Sequence, residues 1–151
     1  MDCDGVMTDG KLYFSERGEE LKVFHVRDGQ GLVMWHTAGF RSGIISGRDA
    51  GPIIQMRAAE LGIHYVRVKS RDKVQDFEEI IADAGVLPEE TAFVGDDVGD
   101  IDLMMRVGLA IAVADAVDEV KAAAGYITKL NGGMGAIREV TDMLLQHKQA
   151  Y

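Results

Sequence analysis

A chain of 151 residues is the length of one domain, enough to bury roughly 70% of its unfolded surface around a single core. With 47% hydrophobic and 27% charged residues it has a globular composition, and no apolar run approaches the roughly 20 residues of a membrane span. A net charge of −9 and a pI near 4.8 disfavour a nucleic-acid surface, so an anionic ligand has to be held by a metal or by local cations. One cysteine, Cys3, and no basic leader before an apolar stretch point to a reducing cytoplasm.

The chain opens on Met1-Asp2-Cys3-Asp4-Gly5, two carboxylates one residue apart that leave the same face of an extended backbone. Lys11 to Phe14 and Leu21 to Val26 then read as the arms of a β-hairpin with a polar tip, which needs a partner surface for Leu12, Phe14, Leu21 and Val23. The spacing predicts a helix over Asp28–Ala38, stopped at Gly39. A buried strand at Ser42–Ser46 runs into Gly47-Arg48-Asp49, and a helix follows through Ile53, Ile54, Ala58 and Leu61 to Gly62.

His64–Val68 is the next strand, and Asp72 is placed to cap a helix using Val74, Phe77, Ile80 and Ile81 before Gly85. Thr91–Val94 is a strand that ends in Gly95-Asp96-Asp97-Val98-Gly99-Asp100, with a short helix through Met104 and Met105. Leu109–Val113 (strand), Ala116–Ala124 (helix) and Tyr126–Thr128 (strand) complete the alternation. The glycine-rich Asn131–Gly135 leads into a final helix using Ile137, Val140 and Leu144. Met104, Met105 and Trp35 are expected in the core, and the histidines lack metal-ligand spacing.

Alternating strands and helices imply a Rossmann-like, doubly wound parallel sheet, whose ligands bind beyond the carboxyl ends of the strands. Asp2 and Asp4, Ser46, and Asp96 and Asp97 each follow a strand end, while Lys73 begins a helix. Each has a plain alternative: Asp96 and Asp97 as helix caps, Ser46 as a turn residue, Lys73 as a solvated lysine, and Arg48 as the partner of a nearby acid. Together they suit a phosphate with its metal. Asp2 is the candidate nucleophile and Asp4 the candidate acid and base. Asp2, the Asp4 carbonyl and Asp96 would hold Mg²⁺, with Asp97 as a supporting acid. Ser46, Lys73 and the amides near Cys3, Asp4 and Gly47 would bind phosphate oxygens. Cys3, flanked by carboxylates, reads as a packed side chain.

In this order, Asp2-Cys3-Asp4-Gly5-Val6, Ser46-Gly47-Arg48, Lys73 and Gly95-Asp96-Asp97 resemble the motifs of the haloacid dehalogenase-like phosphatases. Asp4–Gly10, Gly18–Lys22, Val26–Gly29 and Gly132–Val140 narrow the likeness to the capless 3-deoxy-D-manno-octulosonate 8-phosphate phosphatases, over nearly the whole chain. The resemblance implies one capless domain over residues 1–151, an aspartyl-phosphate intermediate, Mg²⁺, and phosphate or substrate contacts from Gly5, Ser46, Gly47, Arg48 and Lys73. It also implies a homotetramer in which hairpins associate and a neighbouring subunit helps close the site. Two positions depart from the family. Met134 stands where the family carries an arginine, which leaves a related nononate 9-phosphate as an alternative substrate. Only Met1 precedes Asp2 where the family has an apolar strand, so residues upstream of Met1 are expected. A receiver-like signalling domain is disfavoured by motif order, and a non-catalytic oligomer is the third reading.

Overall fold

Hydrophobic alternation and its breaks set the element order in the computed structural model, which describes residues 1–49 and 52–148. β1 (Tyr13–Ser15) and β2 (Gly18–Leu21) form an antiparallel hairpin, and α1 (Val26–Thr37) follows. Then come β3 (Gly43–Ile45), α2 (Pro52–Leu61), β4 (Tyr65–Arg67) and α3 (Lys73–Ala84). After a 3₁₀ turn at Pro88–Glu90 come β5 (Ala92–Gly95), a second 3₁₀ turn at Val98–Asp100, and α4 (Ile101–Met104). β6 (Leu109–Ala112), α5 (Asp118–Ala123), β7 (Tyr126–Ile127) and α6 (Ala136–His147) complete the chain. Among the described residues no helix is long and apolar enough to cross a membrane.

β3 pairs with β4, β5 with β6 and β6 with β7, all in parallel. Met1 and Asp2 join the two groups. The Met1 ammonium donates to the Gly43 carbonyl at 3.0 Å, the Ile45 N–H donates to the Met1 carbonyl at 3.0 Å, and the Asp2 N–H donates to the Val94 carbonyl at 3.0 Å. The spatial order is therefore β4-β3-(Met1–Asp2)-β5-β6-β7, the parallel α/β sheet that the sequence implies. It places Asp2 in the middle, at the carboxyl ends of β3 and β5.

Ile44, Ile54, Leu103, Ile111, Val120 and Ile137 are fully buried between the sheet and its helices. α1 packs on α6, where a side chain at Gly31 would strike the Thr141 hydroxyl and crowd the Arg138 backbone. Asp72 caps α3 by accepting from the Gln75 N–H at 3.0 Å, and Gly85 ends it with φ of +68°.

Four details differ from the sequence reading. The hairpin turns later and its second arm lies earlier than the Leu21–Val26 expected: Gly18 and Glu19 pair in β2 with Ser15 and Phe14, and residues 22–25 lie outside it, with Lys22 turned inward to an ion pair. α1 starts two residues early, capped by the His25 ring, whose Nδ1 accepts from the Arg27 N–H at 3.1 Å. Met105 is on the surface, 69% exposed, since α4 ends at Met104. Trp35 is half-buried, stacked on Phe40 at 4.3 Å with its Nε1 donating to the Arg41 carbonyl.

An apolar slot of about 600 Å³ lies between β3 and β5 behind Met1, lined by Met1, Ile45, Phe77, Ile80, Phe93 and Ile137 among others. Burial pushes the Met1 amine down to about 6, although the charges of Asp2 and Asp100 oppose that. An apolar segment of about 5 residues added before Met1 would fill the slot as a strand and replace a buried amine, ionised only at a cost, with an amide that carries no charge. Such an extension is expected to raise the thermal midpoint by roughly 5 °C. An unchanged midpoint would show that the slot does not accept it.

Candidate active site

Strand ends deliver most of the site. A cavity of about 330 Å³ beyond the carboxyl ends of β3 and β5 is lined by Asp2, Asp4, Ser46, Gly47, Arg48, Lys73, Asp96 and Asp97, together with Gly10, Gly99 and Asp100. Of the residues singled out in the sequence, Gly5, Cys3 and Met134 do not line it. Gly5 adopts φ of +85° and lies against the Asp96 carboxylate, where any side chain would collide, and its N–H is given to the Thr8 hydroxyl.

The loop after Asp2 is held from both directions. Thr8 Oγ1 accepts from the Gly5 and Gly10 N–H groups, each at 3.2 Å, and the Gly133 N–H donates to the Val6 carbonyl at 2.9 Å. A side chain at Gly132 would run into the Gly5 carbonyl, so the glycine-rich tail lies directly on this loop. Asp28, 3% exposed, accepts from the Arg138 N–H at 2.9 Å and so fixes the start of α6 behind that tail. Burial pushes the Asp28 carboxyl up, and the bond from Arg138 opposes it.

Charge is concentrated where Asp2, Asp96 and Asp100 meet, each offering an oxygen within 4.8 Å of the others. Lys73 Nζ lies 2.7 Å from Asp100 Oδ1 and 3.1 Å from Asp2 Oδ1. Asp100 Oδ2 accepts from the Asp96 N–H at 3.0 Å and the Asp97 N–H at 3.4 Å. Burial works against the Lys73 charge, but Asp2 and Asp100 outweigh it and raise the ammonium above the usual lysine range. Burial, and then the Asp100 charge, push Asp2 up despite Lys73. Burial, Asp2 and Asp100 push Asp96 up to about 8. Asp96 Oδ1 is buried with no hydrogen-bond partner among the described residues. One lysine does not balance three carboxylates, and the orphaned oxygen points to a divalent cation with hard oxygen ligands.

Asp4 faces a second charge cluster. Its Oδ1 lies 2.6 Å from Lys22 Nζ, which also lies 2.7 Å from Glu19 Oε1. Arg48 Nη2 is 3.4 Å from Glu19 Oε2, and Arg48 Nε is 3.8 Å from Asp4 Oδ2. Ser46 is 1% exposed, and its hydroxyl accepts weakly from the Arg48 N–H at 3.4 Å. The Cys3 N–H donates to Asp2 Oδ1 at 2.8 Å. Asp97, at the rim, caps the 3₁₀ turn by accepting from the Val98 N–H at 2.7 Å. Cys3 is fully buried, and that burial, with the Asp4 charge, pushes its thiol up to about 12.

Asp100, Lys22 and Glu19 are the participants that motif reading passed over. Asp100 stands three residues after Asp97, the spacing of a capping box, and that was its signal. The signal for Lys22 was a lone charge at the inward position of the alternating Leu21-Lys22-Val23.

The crowded carboxylates carry a pH signature. Without metal, folded Asp96 keeps its proton up to about 8, whereas the unfolded chain releases it near 3.8. The folded state binds more protons across that window, so metal-free stability falls as pH rises through it. The thermal midpoint in chelator is therefore expected to drop between about pH 5 and pH 8, and a divalent cation to raise it more at the higher pH. A cation effect of equal size at both values would contradict the geometry.

Residues 48–140 match the family model of the haloacid dehalogenase-like hydrolases. The chain is 43% identical over 144 residues to the 3-deoxy-D-manno-octulosonate 8-phosphate phosphatase of Yersinia pestis, covering 95% of this chain and 76% of that protein. The cobalt-bound phosphatase of that name from Haemophilus influenzae superposes with a TM-score of 0.95 at 41% identity, covering 98% of this chain and 86% of the other. The Moraxella catarrhalis phosphatase, solved with a magnesium ion, a phosphate ion and the sugar acid KDO, gives a TM-score of 0.92 at 34% identity, covering 97% and 83%. With the motif residues gathered at one sheet edge and likeness running along almost its full length, the chain belongs to the haloacid dehalogenase-like hydrolases and, within them, to the 3-deoxy-D-manno-octulosonate 8-phosphate phosphatases.

Proposed function

We propose that this chain is a capless, single-domain, Mg²⁺-dependent phosphatase that hydrolyses 3-deoxy-D-manno-octulosonate 8-phosphate through a phosphorylated Asp2. The observation that carries this is Asp2 itself. It is 8% exposed at the centre of the sheet, held by Lys73 and crowded by Asp96 and Asp100 in a cavity of about 330 Å³, with room for a phosphate and part of the alcohol it is bound to. Bound Mg²⁺, with Asp2, Asp96 and the Asp4 carbonyl as its ligands, supplies charge neutralisation for the phosphoryl oxygens.

The residues of the chain do the rest. Lys73, Ser46 and the Gly47 amide bind phosphoryl oxygens and hold phosphorus in line with an Asp2 oxygen. That oxygen bonds to phosphorus as the ester bond breaks, and Asp4 gives its proton to the leaving alkoxide. Asp4 then takes a proton from water as the water attacks the acyl phosphate, which frees inorganic phosphate and restores Asp2. Asp100 holds Lys73 and the loop carrying Asp96. Arg48, its side chain 41% exposed at the rim, is placed for the body of the substrate.

Asp2→Asn is expected to lower Mg²⁺-dependent phosphate release from the octulosonate phosphate by about 10³-fold or more. An unchanged rate would remove Asp2 as nucleophile. Met134 is 57% exposed and cannot pair with a carboxylate, so the same assay with a nononate 9-phosphate decides between the two sugar acids.

A homotetramer built on the hairpin is part of the same proposal. Leu12, Tyr13, Phe14, Leu21, Val23 and Val26 are 45%, 38%, 69%, 54%, 50% and 79% exposed, a concentration of uncovered apolar side chains on and beside the hairpin that supports an interface there. Phe14→Glu is expected to convert the tetramer into smaller species by light scattering. A wild-type monomer at working concentration would overturn the assembly.

A further inference from the structure

The site contains a buried lysine that the phosphatase chemistry above does not use. Lys22 follows β2, and its neighbours Leu21 and Val23 point outward, 54% and 50% exposed, while the Lys22 side chain is 1% exposed. Burying an ammonium is costly, and the ion pairs here have close geometry: 2.6 Å to Asp4 Oδ1 and 2.7 Å to Glu19 Oε1. Glu19, its side chain 4% exposed, reaches with its other oxygen to Arg48 Nη2 at 3.4 Å, and Arg48 Nε returns to Asp4 Oδ2 at 3.8 Å. Asp4, Lys22, Glu19 and Arg48 thus form a closed ring that ties the hairpin to the mouth of the cavity.

The two oxygens of Asp4 are treated differently in this ring. Oδ1 is fixed by Lys22, while Oδ2 has no hydrogen-bond partner among the described residues. A carboxyl group pinned at one oxygen has its other oxygen oriented, and a short, buried ion pair holds that orientation better than solvent does.

We infer that Lys22 is a positioning residue for the acid step: by pinning Asp4 Oδ1, with Glu19 as its second anchor, it presents Asp4 Oδ2 to the leaving oxygen of the substrate. The inference rests on the acid role of Asp4 given above. In the step concerned, an Asp2 oxygen bonds to phosphorus, the phosphorus–oxygen ester bond breaks, and the proton on Asp4 Oδ2 passes to the departing alkoxide. Lys22 keeps its proton and its place throughout.

The test uses the leaving group. A sugar alkoxide needs a proton to depart, whereas p-nitrophenolate is a stable anion and needs little help. kcat/KM reports the steps up to the first departure of alcohol, so the later water attack, common to both substrates, does not blur the comparison. Lys22→Met is expected to lower kcat/KM for the octulosonate phosphate by about 10- to 100-fold, part of the 10²–10⁴ that general acid catalysis contributes, and for p-nitrophenyl phosphate by less than about 3-fold. Lys22→Arg, which retains a donor toward Asp4, is expected to recover most of the loss. Glu19→Gln is expected to give a smaller split of the same sign, and these two variants carry the test if Lys22→Met does not fold.

Asp4→Asn is the reference. If it separates the two substrates and the Lys22 and Glu19 variants lower both equally, or neither, the positioning role is overturned and Lys22 merely fastens the hairpin. If Asp4→Asn itself fails to separate them, the acid role of Asp4 falls, and this inference with it.

Discussion

Three carboxylates held within reach of one another in a half-buried cleft are the constraint on which the rest of this structure depends. Left alone, Asp2, Asp96 and Asp100 would repel, and among the described residues Lys73 is the one side chain that forms ion pairs with Asp2 and Asp100. The fold keeps them together by fixing each from behind. Asp2 is held through the backbone bonds of Met1 and Asp2 to β3 and β5, and Asp100 through its bonds to the Asp96 and Asp97 amides. Such an arrangement favours a bound cation, which would offset locally the −9 charge of a chain that has to hold an anionic ligand.

A second layer of charge sits above the first. Lys22 and Arg48 face Asp4 and Glu19, so positive groups occur at the mouth of the cavity as well as at its floor. Opposing pressures meet on Glu19: burial works against its charge, yet the bonds and charges of Lys22 and Arg48 hold its carboxyl below the usual range. Lys22 is the converse, raised by Asp4 and Glu19 against the effect of burial. Glu19 and Lys22 are thereby held in their charged forms in a place where isolated charges would not be.

The β–α alternation, the glycine stop at Gly85 and the Asp72 cap were readable because they rest on local rules that act over four or five residues. The convergence of Asp2, Ser46, Lys73 and Asp96 followed from topology, since a parallel sheet brings strand ends to one edge. Asp100 and the Lys22–Glu19 pair escaped because their roles arise between elements: Lys73 meets Asp100 across 27 positions, and Lys22 meets Asp4 across 18. His25 escaped as a cap because histidine is not among the usual capping residues. Met105 was placed inside because a helical repeat was extended past the point where α4 ends.

The contact between the glycine-rich tail and the loop after Asp2 bears on the order in which the protein becomes functional. Gly133 reaches back to Val6, and Arg138 reaches back to Asp28 across 110 positions. Contacts of that separation are slow to form, because a long loop must close before they repay its entropy. During synthesis the loop that carries Asp4 emerges well before residues 132–138, and it gains its backing only once they are free to fold onto it. The loop that carries Asp4 is thus made well before residues 132–138 and is among the last parts of the fold to be finished.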